Sequence, residues 1–159
     1  MPLIIENGTG VAGANSYVTV NEFITYALER DIVYTGDEER FLILAMDYLE
    51  SLMFIGIKNI YNQKLQWPRS NVVIDSYLQD SNVIPEELKK GQIEVALAIA
   101  FNNSPLSNLS RVQKRVKVGE IEVEYGDGQD IVIVRKISAS LYKLLNSGLG
   151  GTSFVVYRG

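Results

Sequence analysis

The stretch of sequence that decides the fold is PEELKKGQIEVALAIAF, residues 85–101. Proline suits the first turn of a helix, and the two glutamates after it favour the positive end of the helix dipole. The second half of the stretch is apolar on nearly every side, which is typical of a helix at the centre of a bundle. Asn102-Asn103-Ser104-Pro105 ends the pattern. The sequence therefore predicts a central helix from Pro85 to about Phe101.

A glycine-rich turn and a short extended segment precede the first helix. The string Gly8-Thr9-Gly10-Val11-Ala12-Gly13 matches the dinucleotide-binding fingerprint only as letters, because that motif needs a helix to open at its third glycine. Residues 17–20, Tyr-Val-Thr-Val, favour extended chain instead, so we interpret the string as a turn. Thr19 and Glu22 have capping-box spacing and predict a first helix from Asn21 to about Arg30.

A second helix is predicted from Asp37 to about Met53, after a further capping-box spacing between Thr35 and Glu38. The segment from Ile55 to Val83 has little periodicity and many turn-forming residues, so we interpret it as a long ordered loop. The second helix carries one apolar stripe at helical intervals, formed by Phe41, Leu42, Ala45, Tyr48, Leu49 and Leu52.

The loop contains the only tryptophan of the chain, in the sequence Trp67-Pro68-Arg69. Proline fixes the local backbone, and tryptophan buries a large area in cores and in interfaces alike. We interpret these three residues as a structural anchor that ties the loop to the helical bundle. An exposed contact at an interface is the alternative.

Residues 115–125 alternate apolar and charged side chains around Gly119-Glu120, which is typical of a half-buried β-hairpin. The predicted cross-strand pairs are Val116 with Val123, Val118 with Ile121, Lys117 with Glu122, and Arg115 with Glu124. A single strand with a glycine bulge is the alternative. The charged residues are candidates for a subunit interface or a DNA channel: Lys114, Arg115, Lys117, Glu120, Glu122 and Glu124. Because the carboxylates cancel much of the positive field, a solvated face is favoured over phosphate contacts.

The C-terminal end is predicted to reach out from the rest of the chain. Ser138 should cap a last helix to about Asn146, which Gly148 ends. The glycine-rich stretch 148–151 then leads to an aromatic and β-branched arm that needs a partner. The arm residues are Phe154, Val155, Val156, Tyr157 and Arg158. We therefore divide the chain into a helical domain, 1–147, and a hinge with an arm, 148–159.

Composition argues against common classes of enzyme. The chain has no cysteine and no histidine, so zinc-type sites and serine or cysteine triads lack their usual parts. Acidic pairs such as Glu86 and Glu87 lie at helix starts, where the dipole and solvent explain them. We expect no catalytic residue, no metal and no cofactor. The net charge of −4 argues against a dedicated nucleic-acid binder. The absence of a long apolar run argues against a membrane protein.

Five short motifs, in order from about Gly13 to Tyr125, resemble those of a known family. They are GANSYVTV at 13–20, AMDYL at 45–49, QKLQWPR at 63–69, IP at 84–85 and VGEIEVEY at 118–125. Together they resemble the phage head–tail adaptor (connector) proteins, a set often labelled as DnaT-like single-strand DNA-binding proteins. The glycine-rich C-terminal end, which finishes with Arg158-Gly159, resembles the same family less closely.

The resemblance implies a non-enzymatic structural protein of a virion neck, assembled in the host cytoplasm after genome packaging. Such adaptors form a ring, usually of twelve subunits, around the DNA channel. The partners would be further copies of the chain, the portal protein, which the C-terminal arm reaches, and the next neck or tail-completion protein. Non-specific contact with passing DNA is expected, and no membrane is involved. The alternative is a single-strand DNA-binding replication protein.

The predicted fold class is mainly α, or α+β by count of elements. It consists of a small helical bundle, a β-hairpin excursion and an extended C-terminal arm.

Overall fold

Three α-helices, one 3-10 helix and three pairs of short strands make up the part of the chain that the computed structural model describes, which is residues 2–101, 114–118, 121–125 and 139–146. The helices are α1 (Val20–Leu28), α2 (Glu38–Glu50), α3 (Glu86–Ala100) and the 3-10 helix (Tyr142–Leu144). The antiparallel pairs are β1 (Ile57–Lys58) with β2 (Arg69–Ser70), β3 (Val73–Ile74) with β4 (Tyr77–Leu78), and β5 (Lys114–Val118) with β6 (Ile121–Tyr125). This is the helix-rich α+β fold with a β-hairpin that the sequence predicted.

Helix α3 lies at the centre of the core, as its apolar sequence predicted. Its N-cap is Pro85 and its C-cap is Phe101. The run from Gly91 to Ala98 is buried without interruption, so neighbours must cover the helix on every side. Helix α2 provides the largest contact, and the side chain of Leu141 packs so closely on Gly91 that a Cβ there would lie 2.3 Å from it.

A buried glutamine on α3 joins three parts of the chain. The side chain of Gln92 is fully buried, and its Oε1 accepts a hydrogen bond from the backbone amide of Tyr17 at 2.9 Å. Its Nε2 donates to Ser16 Oγ at 2.8 Å and to the carbonyl oxygen of Leu42 at 3.1 Å. A buried amide without partners would be costly. Gln92 therefore fixes the N-terminal segment and α2 against α3.

The first two helices begin close to their predicted positions. Thr19 caps α1 with the complete capping box, in which its hydroxyl accepts from the amide of Glu22 and the Glu22 carboxylate accepts from the amide of Thr19. Helix α2 begins at Glu38, one residue after the predicted start at Asp37, but the predicted cap was wrong, since its N-cap is Asp37 and not Thr35. Gly36 lies between them with a φ of +132°. The chain turns at this glycine, which leaves Thr35 outside the helix.

Both helices also end earlier than predicted. Helix α1 ends at Leu28 rather than near Arg30, because Asp31 adopts a φ of 50° that breaks the helical path. Helix α2 ends at Glu50 rather than near Met53, where the hydroxyl of Ser51 donates to the carbonyl oxygen of Tyr48 at 2.6 Å.

The segment 55–83 contains two small antiparallel sheets where the sequence predicted one long loop. Each strand has only two residues, which is too short for an alternating pattern to show in the sequence. Asp75-Ser76 joins β3 to β4 with φ values of 50° and 71°, as in the two-residue turns that match strand twist. We call the segment from β1 to β4, residues 57–78, the double hairpin.

The glycine-rich string near the N-terminus binds a carboxylate of the chain itself. The buried Glu6 accepts hydrogen bonds from the amides of Gly8 and Gly10, each at 2.9 Å, and from that of Val11 at 2.7 Å. Amides that converge in this way form an anion-binding nest. The string is thus a turn, as predicted, and its own glutamate occupies the anion position.

The last helix is shorter than predicted. A helical turn at 139–141 passes into the 3-10 helix, and Leu145 then pairs with Phe54 through a β-bridge. The amide of Ile55 donates to the carbonyl oxygen of Leu144 at 2.9 Å. The chain leaves the helix before Asn146 because it bonds to the segment after α2.

Several predicted features lie outside the described residues. They are the cap Ser138, the stop Gly148, the hinge 148–151, the arm Phe154–Arg158 and the turn Gly119-Glu120. The division into 1–147 and 148–159 therefore stays a prediction. Within the described ranges, no helix has the length and apolar character needed to cross a membrane.

Replacement of Gln92 by methionine should lower the free energy of unfolding by about 2–5 kcal/mol. Methionine has a similar shape but leaves the buried amide of Tyr17 without its partner, at about 1–3 kcal/mol. It also removes one hydrogen bond each from Ser16 Oγ, which keeps its bonds to Val18, and from the Leu42 carbonyl, at about 0.5–1.5 kcal/mol per bond. Urea denaturation followed by circular dichroism measures the change. Gln79→Met, at a partly exposed position after β4, is the control; equal stability of the two variants would contradict the role of Gln92.

Candidate nucleic-acid interface

Trp67 lies in the core and not on the surface. Its side chain is fully buried, and its ring packs edge-on against Phe54, with centroids 6.0 Å apart and planes at 80°. The peptide bond to the buried Pro68 is cis. Within the described part of the chain, the indole Nε1 has no hydrogen-bond partner, so the ring contributes through its apolar area.

Arg69, on β2, is bonded to the backbone that leads into β1. Its guanidinium donates to the carbonyl oxygens of Phe54, Ile55 and Gly56, at 3.3, 2.7 and 2.8 Å. Burial lowers the pKa of Arg69, but the side chain remains a cation far above neutral pH. These three carbonyls directly precede β1, so Arg69 fixes the backbone from which the double hairpin extends.

A buried hydroxyl links this region to the N-terminal segment. Tyr17 Oη accepts from the amide of Trp67 at 3.1 Å and lies 3.5 Å from Glu50 Oε1. The same carboxylate oxygen accepts from the amide of Gln66 at 2.9 Å. Burial, and next the charge of Glu50, raise the pKa of Tyr17, so its proton stays in place. Burial also raises the pKa of Glu50.

The double hairpin and the segments next to it expose several large apolar side chains. Tyr61 is fully exposed, and Tyr77 is 75% exposed. The 3-10 helix adds Tyr142, and its Lys143 forms an ion pair with Asp75 of the β3–β4 turn at 2.6 Å, which brings this helix next to the double hairpin. We call this set the tyrosine surface: Met53, Ile57, Tyr61, Val73, Tyr77, Leu78 and Tyr142, all more than half exposed.

Six of the seven residues of the tyrosine surface lie within residues 53–79, a segment with more basic than acidic residues. Residues 53–79 contain three basic residues and one acidic residue, whereas the rest of 1–101 contains four basic and thirteen acidic residues. Sequence reasoning missed this surface because it treated 55–83 as an ordered loop. The signal in the sequence was the number of apolar and basic residues within a segment rich in turn formers.

The strand pair β5–β6 has the predicted register. Val116 pairs with Val123, Val118 with Ile121, Lys117 with Glu122 and Arg115 with Glu124. The three basic candidates, Lys114, Arg115 and Lys117, therefore lie together on β5, and the acidic candidates Glu122 and Glu124 lie on β6. Glu120 falls outside the described residues. No observation here tests whether these residues form an interface.

The charge of the chain is divided unevenly along its length. Residues 1–101 contain seven basic and fourteen acidic residues, a net charge of −7. Residues 102–159 contain eight basic and five acidic residues, a net charge of +3, and the two parts together give the −4 of the whole chain. Strand β5 belongs to the basic part. The chain therefore has a net negative charge although its C-terminal part, residues 102–159, is basic.

A groove of about 440 Å³ lies between α1 and the first half of α3. Its charged walls consist of three carboxylates, on Glu22, Glu29 and Glu86, and two lysines, Lys89 and Lys90. Lys89 forms ion pairs with Glu22 at 3.4 Å and Glu86 at 3.5 Å. Lys89 is thus already paired with carboxylates, and the acidic walls repel phosphate groups. This groove does not suit a nucleic acid.

Within the described ranges, no three acidic side chains come close enough together to hold a metal ion. The predicted absence of catalytic residues and cofactors has no direct test here, and it stays a prediction.

These observations define a small helix-rich α+β protein with an acidic helical body and local basic, tyrosine-bearing surfaces. The chain belongs to the family described as "Putative DnaT-like ssDNA binding protein", whose profile matches residues 1–159. No curated protein and no solved structure matches the chain.

The family match corrects the adaptor interpretation of the sequence. The description names single-strand DNA binding, which agrees with the alternative reading and not with a structural protein of the virion neck. The main functional prediction was therefore wrong. The ring of twelve subunits, the portal protein and the neck or tail-completion protein have no support as partners, and the location in a virion depended on the same interpretation.

Replacement of Trp67 by alanine should lower the free energy of unfolding by about 3–5 kcal/mol, because it removes a large buried ring from the core. Trp67→Phe should cost less, since it keeps part of the apolar area and the indole nitrogen has no described partner to lose. Urea denaturation of the two variants measures the difference. Stability of Trp67→Ala close to that of the unmodified protein would contradict the anchor role.

Replacement of Glu50 by glutamine should stabilise the protein at pH 7 and have little effect near pH 4. A raised pKa means that the folded state favours the protonated carboxyl, so the contribution of Glu50 to stability is present at low pH and is lost as pH rises through its folded pKa. Glutamine stays neutral at both pH values and keeps an oxygen that can accept from Gln66. Urea denaturation at the two pH values tests this. If Glu50→Gln destabilised the protein more at pH 7 than at pH 4, the pKa of Glu50 would be lowered in the folded state and not raised.

Proposed function

We propose that the chain binds single-stranded DNA with little preference for base sequence. The observation that carries this proposal is the match of the whole chain to a family described by single-strand DNA binding. The uneven charge supports it, because phosphate contacts require local clusters of basic residues and not a basic protein overall. The proposal is a binding function, and it assigns no catalytic step to any residue.

Strand β5 is the proposed contact with phosphates. It carries Lys114, Arg115 and Lys117 within four consecutive residues. Arg115 and Lys117 are the register partners of Glu124 and Glu122, so each of these two basic positions has an acidic position opposite it on the ladder. Acidic residues at neighbouring positions lower the local positive potential that attracts phosphates. We therefore expect modest affinity that falls steeply as salt is added.

Replacement of Lys114, Arg115 and Lys117 by glutamine should weaken binding of a labelled oligo(dT), measured by fluorescence anisotropy over a range of salt concentrations. Each phosphate contact on a single strand contributes about 0.7 to the slope of log K against log salt concentration. The triple variant should therefore reduce the steepness of that slope by up to about 2. Its circular dichroism spectrum should match that of the unmodified protein.

The matched control is the double variant Lys89→Gln with Lys90→Gln, which removes charge from the acidic groove and should leave the slope unchanged. Absence of oligo(dT) binding by the unmodified protein at low salt would refute the proposed function. If the triple variant and the unmodified protein bind with the same salt slope, β5 is not the phosphate contact. The proposed binding of single-stranded DNA would still stand.

A further inference from the structure

Tyr61 and Tyr77 are held away from the core by structured backbone. Their exposed fractions are 103% and 75%. Single exposed apolar side chains are common on proteins and need no explanation. Here, however, two tyrosines extend from one segment of 22 residues, the double hairpin, which also exposes Ile57, Val73 and Leu78. Several large exposed apolar side chains in one short segment favour a binding surface.

A buried glutamine fixes the loop that carries Tyr61. Gln63 Nε2 donates to the carbonyl oxygens of Leu65 and Pro68, each at 2.9 Å. Its Oε1 accepts from the amide of Ile60 at 2.9 Å, the residue directly before Tyr61. The side chain of Ile60 packs on Gly10, where a Cβ would lie 2.6 Å from it. The backbone at Tyr61 therefore has little freedom to lose when a ligand binds.

The β3–β4 turn fixes Tyr77 in a similar way. Tyr77 directly follows the two-residue turn Asp75-Ser76, and its register partner Ile74 is buried. The amide of Gln79 donates to the carbonyl oxygen of Val72 at 2.8 Å and closes the base of this hairpin. Tyr77 is thus exposed on β4, whose partner strand β3 is anchored in the core by Ile74.

We propose that Tyr61 and Tyr77 stack on the bases of single-stranded DNA, an assignment that rests on the function proposed above. A tyrosine ring can stack on any base, so this contact suits binding without sequence preference. The charge of the segment also suits a polyanion, because Lys58, Lys64 and Arg69 outnumber the single acidic residue, Asp75, in residues 53–79.

The test compares two oligonucleotides of equal length, oligo(dT) and a fully abasic strand, with the full-length chain. The abasic strand keeps the phosphates and lacks the bases, so the ratio of the two affinities reports stacking. The double variant Tyr61→Ala with Tyr77→Ala should bind oligo(dT) about 5- to 150-fold more weakly for each stacked base lost, and its affinity for the abasic strand should change little. Tyr61→Phe with Tyr77→Phe should keep the preference for bases, because phenylalanine retains the ring.

Leu28→Ala is the matched control, since Leu28 is 70% exposed on α1, outside the tyrosine surface; it should leave both affinities unchanged. An unaltered preference for oligo(dT) in the double alanine variant would overturn the stacking assignment and leave single-strand binding intact. Failure of the unmodified protein to bind either strand would overturn both proposals. Loss of self-association in the alanine variant, with oligo(dT) affinity unchanged, would show that the surface contacts protein and would also overturn the assignment.

Discussion

The side-chain amide of Gln92 bonds to three separate segments inside a core that excludes water. Any packing that separated these segments would leave buried polar groups without partners, at about 1–3 kcal/mol for each. The constraint extends beyond the helices, because the amide of Tyr17 bonds to Gln92 while its hydroxyl bonds to the amide of Trp67. One buried glutamine therefore determines where the N-terminal segment lies, and through Tyr17 it also positions the loop that leads to the double hairpin.

The exposed surface depends on that buried network. Arg69 binds three successive carbonyl groups at the start of the double hairpin, and the 3-10 helix is joined to the same region by backbone bonds and by the pair Lys143–Asp75. The absence of a side chain at Gly91 allows Leu141 to approach α3 closely. The tyrosines are thus presented by backbone that is already ordered in the unbound protein, which reduces the entropic cost of binding.

The motifs that carried the family resemblance are mostly structural, and this explains how the resemblance led to the wrong function. Tyr17 and Trp67 are buried, Thr19 caps α1 and Pro85 caps α3. Residues of this kind specify packing and helix ends, so they indicate a shared fold and say little about what the fold contacts. The surfaces to which we assign the proposed DNA contacts are the basic strand β5 and the tyrosine surface. Of these two surfaces, the sequence analysis identified only β5 as a candidate DNA contact. It favoured a solvated face there, because acidic residues lie in the same segment.

The sequence by itself determined the helices, the cap of α1 and the register of β5 with β6, because these depend on periodicity and on residues close together in the chain. Only the tertiary structure decided that Gln92 is a buried junction and that Glu6 fills the glycine-rich turn. It also decided that the segment 55–83 forms two sheets which expose Tyr61 and Tyr77. Such features arise from contacts between distant residues, as between Tyr17 and Gln92, 75 positions apart. The pattern of neighbouring residues in the sequence does not predict these contacts. They are stabilised by burial, which occurs only when the distant segments pack together.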